Sequence, residues 1–130
     1  MVVDTSAVIA FLAGEPEADR IRQTLVRAPI SRMSAFNAFE CRVALLHNFQ
    51  DDAQREFELL LLKARIDVVP FDADQSVLAH RAYQRFGKGT GHAAQLNLGD
   101  CAAYALAKSS DMPLLFKGGD FSRTDIEAVL

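Results

Sequence analysis

The sequence predicts an α/β layered domain with a mainly parallel sheet. Short apolar or β-branched runs alternate with longer stretches of helical periodicity along the whole chain. Each short run gives way to residues that start helices or turn the chain. No repeat, low-complexity stretch or linker breaks the alternation, so the 130 residues read as one domain, residues 1–130.

Met1-Val2-Val3 is the first strand, ending at Asp4-Thr5-Ser6, three residues that favour helix starts. Ala7 to Ala13 reads as a short buried helix stopped by Gly14. Pro16 suits the first turn of the next helix, whose inner stripe is Ile21, Leu25 and Val26 and which Pro29 ends. Ile30 to Ser34 is the second strand, and Ser34 caps a helix from Ala35 to about Asn48. In that helix Phe36, Phe39, Val43, Leu45 and Leu46 recur at helical spacing. Asp51-Asp52 opens a helix with Phe57, Leu60, Leu61 and Ala64 on its apolar face. Ile66 to Phe71 is the third strand, and Pro70 marks it as an edge or an end. Ala73 to Phe86 is helical, Gly87 to Gly91 is a loop, and Gly99-Asp100 starts a helix over Cys101 to Lys108. Met112 to Phe116 is the last strand. Gly118-Gly119 then turns the chain, and Thr124 or Asp125 caps a final short helix.

Half of the residues are hydrophobic and 24% are charged, the balance of a globular chain able to build a core without disulfides. Cys41 and Cys101 form no CxxC pair or zinc-ligand spacing and read as buried free thiols in a reducing, cytoplasmic setting. The start lacks the basic region of a signal peptide, and the longest apolar run, Ala7 to Ala13, is far short of a membrane span. The net charge of −3 gives no global attraction to nucleic acid or to an anionic membrane. A polyanionic ligand must therefore be met by a local basic patch or by bound cations.

Open parallel sheets bind ligands beyond the carboxyl ends of their strands. Asp4 follows the first strand directly, and Asp120 follows the last after a glycine turn. Asp100 lies in a first helical turn behind an irregular loop, and Glu40 occupies a polar slot in a mostly apolar helix. Four acids can thus converge at one rim. Each also has an ordinary reading: Asp4 as a helix cap, Asp100 as a partner of a helix dipole, Asp120 as a turn residue. Glu40 is harder to assign to structure alone, because carboxylates on apolar helices are seldom left without partners. Converging carboxylates repel unless cations intervene. An all-oxygen set without histidine or thiolate suits Mg²⁺ or Mn²⁺, and such a site suits phosphodiester hydrolysis. Ser6 and Asn97 are supporting candidates beside Asp4 and Asp100. Lys117 and Arg123 flank Asp120 and are candidates for a phosphate backbone, as are Arg81 and Arg85 at helical spacing, each with solvent exposure as its ordinary reading. His92 is a weaker candidate for a phosphate contact. A non-enzymatic, receiver-like phosphoacceptor domain also carries acids after strands, with Lys117 as its late lysine, but it needs paired acids after the first strand, where Asp4 stands alone.

The segments Val3-Asp4-Thr5-Ser6-Ala7, Phe39-Glu40-Cys41, Asn97-Leu98-Gly99-Asp100-Cys101-Ala102-Ala103-Tyr104-Ala105-Leu106-Ala107 and Lys117-Gly118-Gly119-Asp120-Phe121 resemble the PIN-domain ribonucleases. The likeness is greatest to the VapC toxins of type II toxin–antitoxin pairs. The resemblance implies a three-layer αβα sandwich with a central, mainly parallel sheet, in which Asp4, Glu40, Asp100 and Asp120 bind Mg²⁺ or Mn²⁺ and cut RNA. It further implies a homodimer and a small antitoxin partner. A housekeeping PIN nuclease of RNA processing is the alternative. The chain departs from the resemblance at Gly119, where members often have an acid or Asn, and at Ala93, where relatives often have Pro. Neither touches the four acids.

Overall fold

Val2 and Val3 point to opposite faces of one sheet, and each meets a different core. The structure, a computed structural model, describes residues 1–130 apart from the side chain of Asn48. Strands β1 (Val2–Val3), β2 (Ser31–Ser34), β3 (Ile66–Val69) and β4 (Leu114–Leu115) form a wholly parallel sheet in the order β3-β2-β1-β4. The helices are α1 (Thr5–Leu12), α2 (Ala18–Arg27), α3 (Ala35–Asn48), α4 (Ala53–Lys63), α5 (Ala73–Phe86) and α6 (Leu98–Ser110). Because side chains alternate along a strand, Val3, Met33 and Leu115 face α1 to α4, whereas Val2 and Leu114 face α5 and α6. This is an αβα sandwich around a parallel sheet. Among the described residues no helix is long and apolar enough to cross a membrane.

The order of the strands positions the site. From β1 the chain moves outward on one side through β2 and β3, then returns to place β4 on the other side of β1. The strand order thus reverses at β1, the place in an open parallel sheet beyond whose carboxyl ends ligands bind.

The structure revises several elements. The α3 residues Phe39, Val43 and Leu46 are exposed, and the buried face is Asn37, Ala38, Cys41 and Leu45. Both faces of this helix are apolar enough to mimic a core stripe, and periodicity alone selects the bulkier one. Val26 is 74% exposed while its neighbour Leu25 is 3% exposed, so α2 turns Ile21 and Leu25 inward. Pro16 sits in the turn before α2, and Asn97 starts α6 ahead of Gly99. The helix expected after Thr124 is absent. A short 3₁₀ turn, Asp120–Arg123, ends at Thr124, and the tail beyond it runs extended along β4. Leu114 N donates to Glu127 O at 2.8 Å and Val129 N donates to Leu114 O at 3.0 Å. β4 is an outer strand, and its unpaired backbone groups recruit the tail more strongly than local propensity builds a helix.

The register of α2 is directly testable. Leu25→Ala should lower unfolding free energy by about 2–5 kcal/mol in urea denaturation, the usual cost of a core leucine. Val26→Ala should change it by no more than about 0.5 kcal/mol. Equal losses would mean that the helix is rotated.

Candidate active site

Asp4 follows β1 and caps α1: its Oδ2 accepts from Ser6 N at 3.0 Å and from Ser6 Oγ at 2.6 Å. Its other oxygen, Oδ1, is buried with no hydrogen-bond partner. Asp100 lies in the first turn of α6, in a reciprocal cap with Asn97. Asp100 N donates to Asn97 Oδ1 at 2.8 Å, and Asn97 N donates to Asp100 Oδ2 at 3.0 Å. The structural reading of each aspartate is therefore true, and it engages only one oxygen.

Glu40 projects from α3 toward the same rim. Its Oε1 accepts from Thr5 Oγ1 at 2.8 Å and lies 3.1 Å from Asn37 Nδ2. The carboxylate lies against Gly99, where an added Cβ would overlap it, so any larger residue at this step of α6 would displace the Glu40 carboxylate. Asp120 opens the 3₁₀ turn beyond β4 and is exposed. Thr5, Asn37 and Gly99 were not among the candidate site residues. Asn37 was detectable, since it stands three residues before Glu40 and so shares its helix face; the part played by Gly99 depends on a contact between α3 and α6.

Burial drives the carboxyl of Asp4 up to about 6, helped by the charge of Glu40 and opposed by the Ser6 hydrogen bonds. Burial likewise pushes Asp100 up to about 7, against the Asn97 hydrogen bond and with the charges of Asp4, Asp120 and Glu40 adding to it. The four acids thus share one field. Their oxygen-only donors and the unpartnered Asp4 Oδ1 fit a hard divalent cation. Among the described residues, no group of three or more such side chains is already arranged to hold an ion.

The remaining candidates scatter. Ser6 Oγ donates to Asp4 and accepts from Lys117 N at 3.0 Å, tying the end of β4 to the end of β1. The Lys117 ammonium is paired with Glu15. Arg123 and Arg81 are exposed. Arg85 reaches Asp125 at 3.4 Å and lies over the Phe86 ring, so it anchors the tail. His92 is a packing residue: its Nδ1 accepts from Ala94 N at 3.0 Å and its ring meets Phe86 edge-on.

A wholly parallel αβα sandwich with buried acids at its strand ends is the architecture of a PIN domain, and the PIN-domain family matches residues 1–127. A ribonuclease VapC of Mycolicibacterium smegmatis is 44% identical over 129 residues, 99% of each chain. The crystal structure of VapC20, a sarcin–ricin-loop-cleaving toxin of Mycobacterium tuberculosis, superposes with TM-score 0.77 at 18% identity, covering 98% of this chain and 97% of that one. A toxin–antitoxin complex from Klebsiella pneumoniae superposes with TM-score 0.68 at 18% identity, covering 93% and 89%. The chain belongs to the VapC family of PIN-domain ribonucleases, which sets the receiver-like reading aside.

The raised carboxyls carry a signed pH dependence. An unfolded aspartate titrates near 3.9. Between about pH 4 and pH 7 the metal-free folded state therefore binds more protons than the unfolded state, and stability falls as pH rises. In chelator the protein should melt higher at pH 5 than at pH 8. Asp100→Asn, which keeps the cap acceptor and removes the charge, should flatten this slope and melt above wild type at pH 8. A lower melt for Asp100→Asn at pH 8 would make Asp100 a structural helix-start residue alone.

Proposed function

We propose that this chain is a Mg²⁺- or Mn²⁺-dependent endoribonuclease that serves as the toxin of a toxin–antitoxin pair. The observation that carries the proposal is the pair of buried aspartates at the strand ends, with Asp4 Oδ1 buried and unpartnered and with the charge of Glu40 acting on both Asp4 and Asp100. Membership in a family whose relatives are named ribonucleases supports RNA as substrate.

In the proposed reaction, water adds to phosphorus as a P–O bond of the RNA backbone breaks. A bound divalent cation supplies Lewis acidity for that hydrolysis. Asp4, Glu40, Asp100 and Asp120 would hold it, with Asp4 and Asp100 as inner ligands because they are the buried pair. Ser6 and Asn97 fix one oxygen of each inner aspartate and so orient the other. Lys117 and Arg123 flank Asp120 and are proposed to meet the RNA backbone. Lys117 then exchanges the Glu15 carboxylate for a phosphate. Arg81 is a more distant candidate on α5, and Arg85 would first have to leave Asp125.

A ribonuclease of this kind needs restraint in its own host, so a small antitoxin is the proposed partner. The likeness to a toxin–antitoxin complex supports that assignment. A homodimer is proposed as well, for which the exposed Phe39 and Leu46 of α3 offer apolar surface.

The purified protein should cleave structured RNA with Mg²⁺ or Mn²⁺ and stop in EDTA. Glu40→Gln should slow turnover by orders of magnitude with an unchanged circular-dichroism spectrum. Undiminished cleavage in EDTA would sink the metal mechanism. Expression of the chain alone should arrest growth, and co-expression of a cognate small antitoxin should restore it as a stable complex forms. Harmless high-level expression in the native host would remove the toxin role.

A further inference from the structure

Asn37 is fully buried on α3, on the face that otherwise buries Ala38, Cys41 and Leu45. Its amide is satisfied at one end only. Nδ2 lies 3.1 Å from Glu40 Oε1, 3.2 Å from Thr5 Oγ1 and 2.9 Å from the carbonyl oxygen of Gly99. Oδ1 is buried with no partner. The three acceptors dictate the orientation, since the flipped amide would set an oxygen against a carboxylate and a carbonyl. An apolar residue of similar size would fill the same volume without burying an orphaned oxygen. What the position requires is therefore a donor.

The acceptors belong to three elements, and those elements carry three of the four acids. Glu40 is on α3, Thr5 directly follows Asp4, and Gly99 directly precedes Asp100. Thr5 adds a second donor to the same Glu40 oxygen. Both donors fall on Oε1, and among the described residues Oε2 has no donor.

We propose that Asn37 is a positioning residue for Glu40: with Thr5 it clamps Oε1, leaving Oε2 to the cation, and through the Gly99 carbonyl it holds the start of α6 at the matching distance. The role rests on the metal-dependent nuclease reading and acts through Glu40, since Asn37 is too deeply buried to meet substrate. Partners behind a metal ligand commonly carry about 10–100-fold in metal affinity.

The test is a double-mutant cycle read by calorimetric titration of the purified full chain with Mn²⁺ alone. Asn37→Ala should weaken Mn²⁺ binding by about 10–100-fold with its circular-dichroism spectrum unchanged. Glu40→Gln retains Asp4 and Asp100, which keeps its weaker binding measurable at millimolar Mn²⁺. Adding Asn37→Ala to Glu40→Gln should then weaken binding by less than about twofold, because the group it positions is gone. In cleavage assays with saturating Mn²⁺, Asn37→Ala should lower kcat and leave KM for RNA unchanged. If Asn37→Ala fails to fold, Thr5→Val replaces it in the same cycle, as it removes a donor to Oε1 and keeps the bond between Asn37 and Gly99. Equal weakening in both backgrounds would reduce Asn37 to a strut between helices and overturn the proposal. So would wild-type affinity in Asn37→Ala alongside weakened affinity in Glu40→Gln, an outcome that leaves the metal reading standing. A wild type that binds no Mn²⁺ would overturn the metal reading and the clamp together.

Discussion

The structure depends on keeping like charges close together and largely out of water. Asp4 and Asp100 are both buried, Glu40 is half-buried beside them, and burial with the charge of Glu40 pushes both buried aspartates up. Burial of unpaired carboxylates is costly in any protein, and this one offsets part of the cost with helix starts. Asp4 stands at the N-cap of α1 and Asp100 in the first turn of α6, where free N–H groups and the positive end of the helix dipole favour an anion. The cluster is held in place by helix geometry and is still under electrostatic load.

A division of labour within each carboxylate follows from this. Asp4 and Asp100 each use Oδ2 for hydrogen bonds to the helix start, and Glu40 uses Oε1 for its two donors. In the proposed reaction the second oxygen of each is the one that meets the cation. Capping and the proposed chemistry are then two uses of the same side chain, and neither excludes the other. Rigid placement comes from backbone and amide donors on regular elements, which hold a side chain more firmly than loop contacts do.

Several of the candidate cations have acid partners in the free protein. Lys117 is paired with Glu15, and Arg85 and Lys108 converge on Asp125. With a net charge of −3 the protein has no general pull on a polyanion. Recognition of RNA in the proposed reaction then draws on exposed cations such as Arg123, on exchange of the Lys117 pair and on bound divalent ions.

The alternation of elements, the parallel sheet, and the helices over Ala35–Asn48 and Ala73–Phe86 were legible in the sequence, because caps and β-branched runs act over a few residues. The positions of the four candidate acids were legible for the same reason: Asp4 just after a strand, Asp100 in a first helical turn, Asp120 after a glycine turn and Glu40 at a polar slot in a helix. What sequence could not decide was which apolar stripe of α3 faces inward, since Phe39, Val43 and Leu46 match helical spacing as well as Ala38, Cys41 and Leu45 do. That choice belongs to the neighbours from other elements, against which Ala38, Cys41 and Leu45 pack. The tail along β4 was likewise set by a strand edge far away in the chain. So was the seat of Glu40, formed by Thr5, Asn37 and Gly99 from three elements: local sequence determined that an acid would be there, but only packing between α1, α3 and α6 decided which of its oxygens is held.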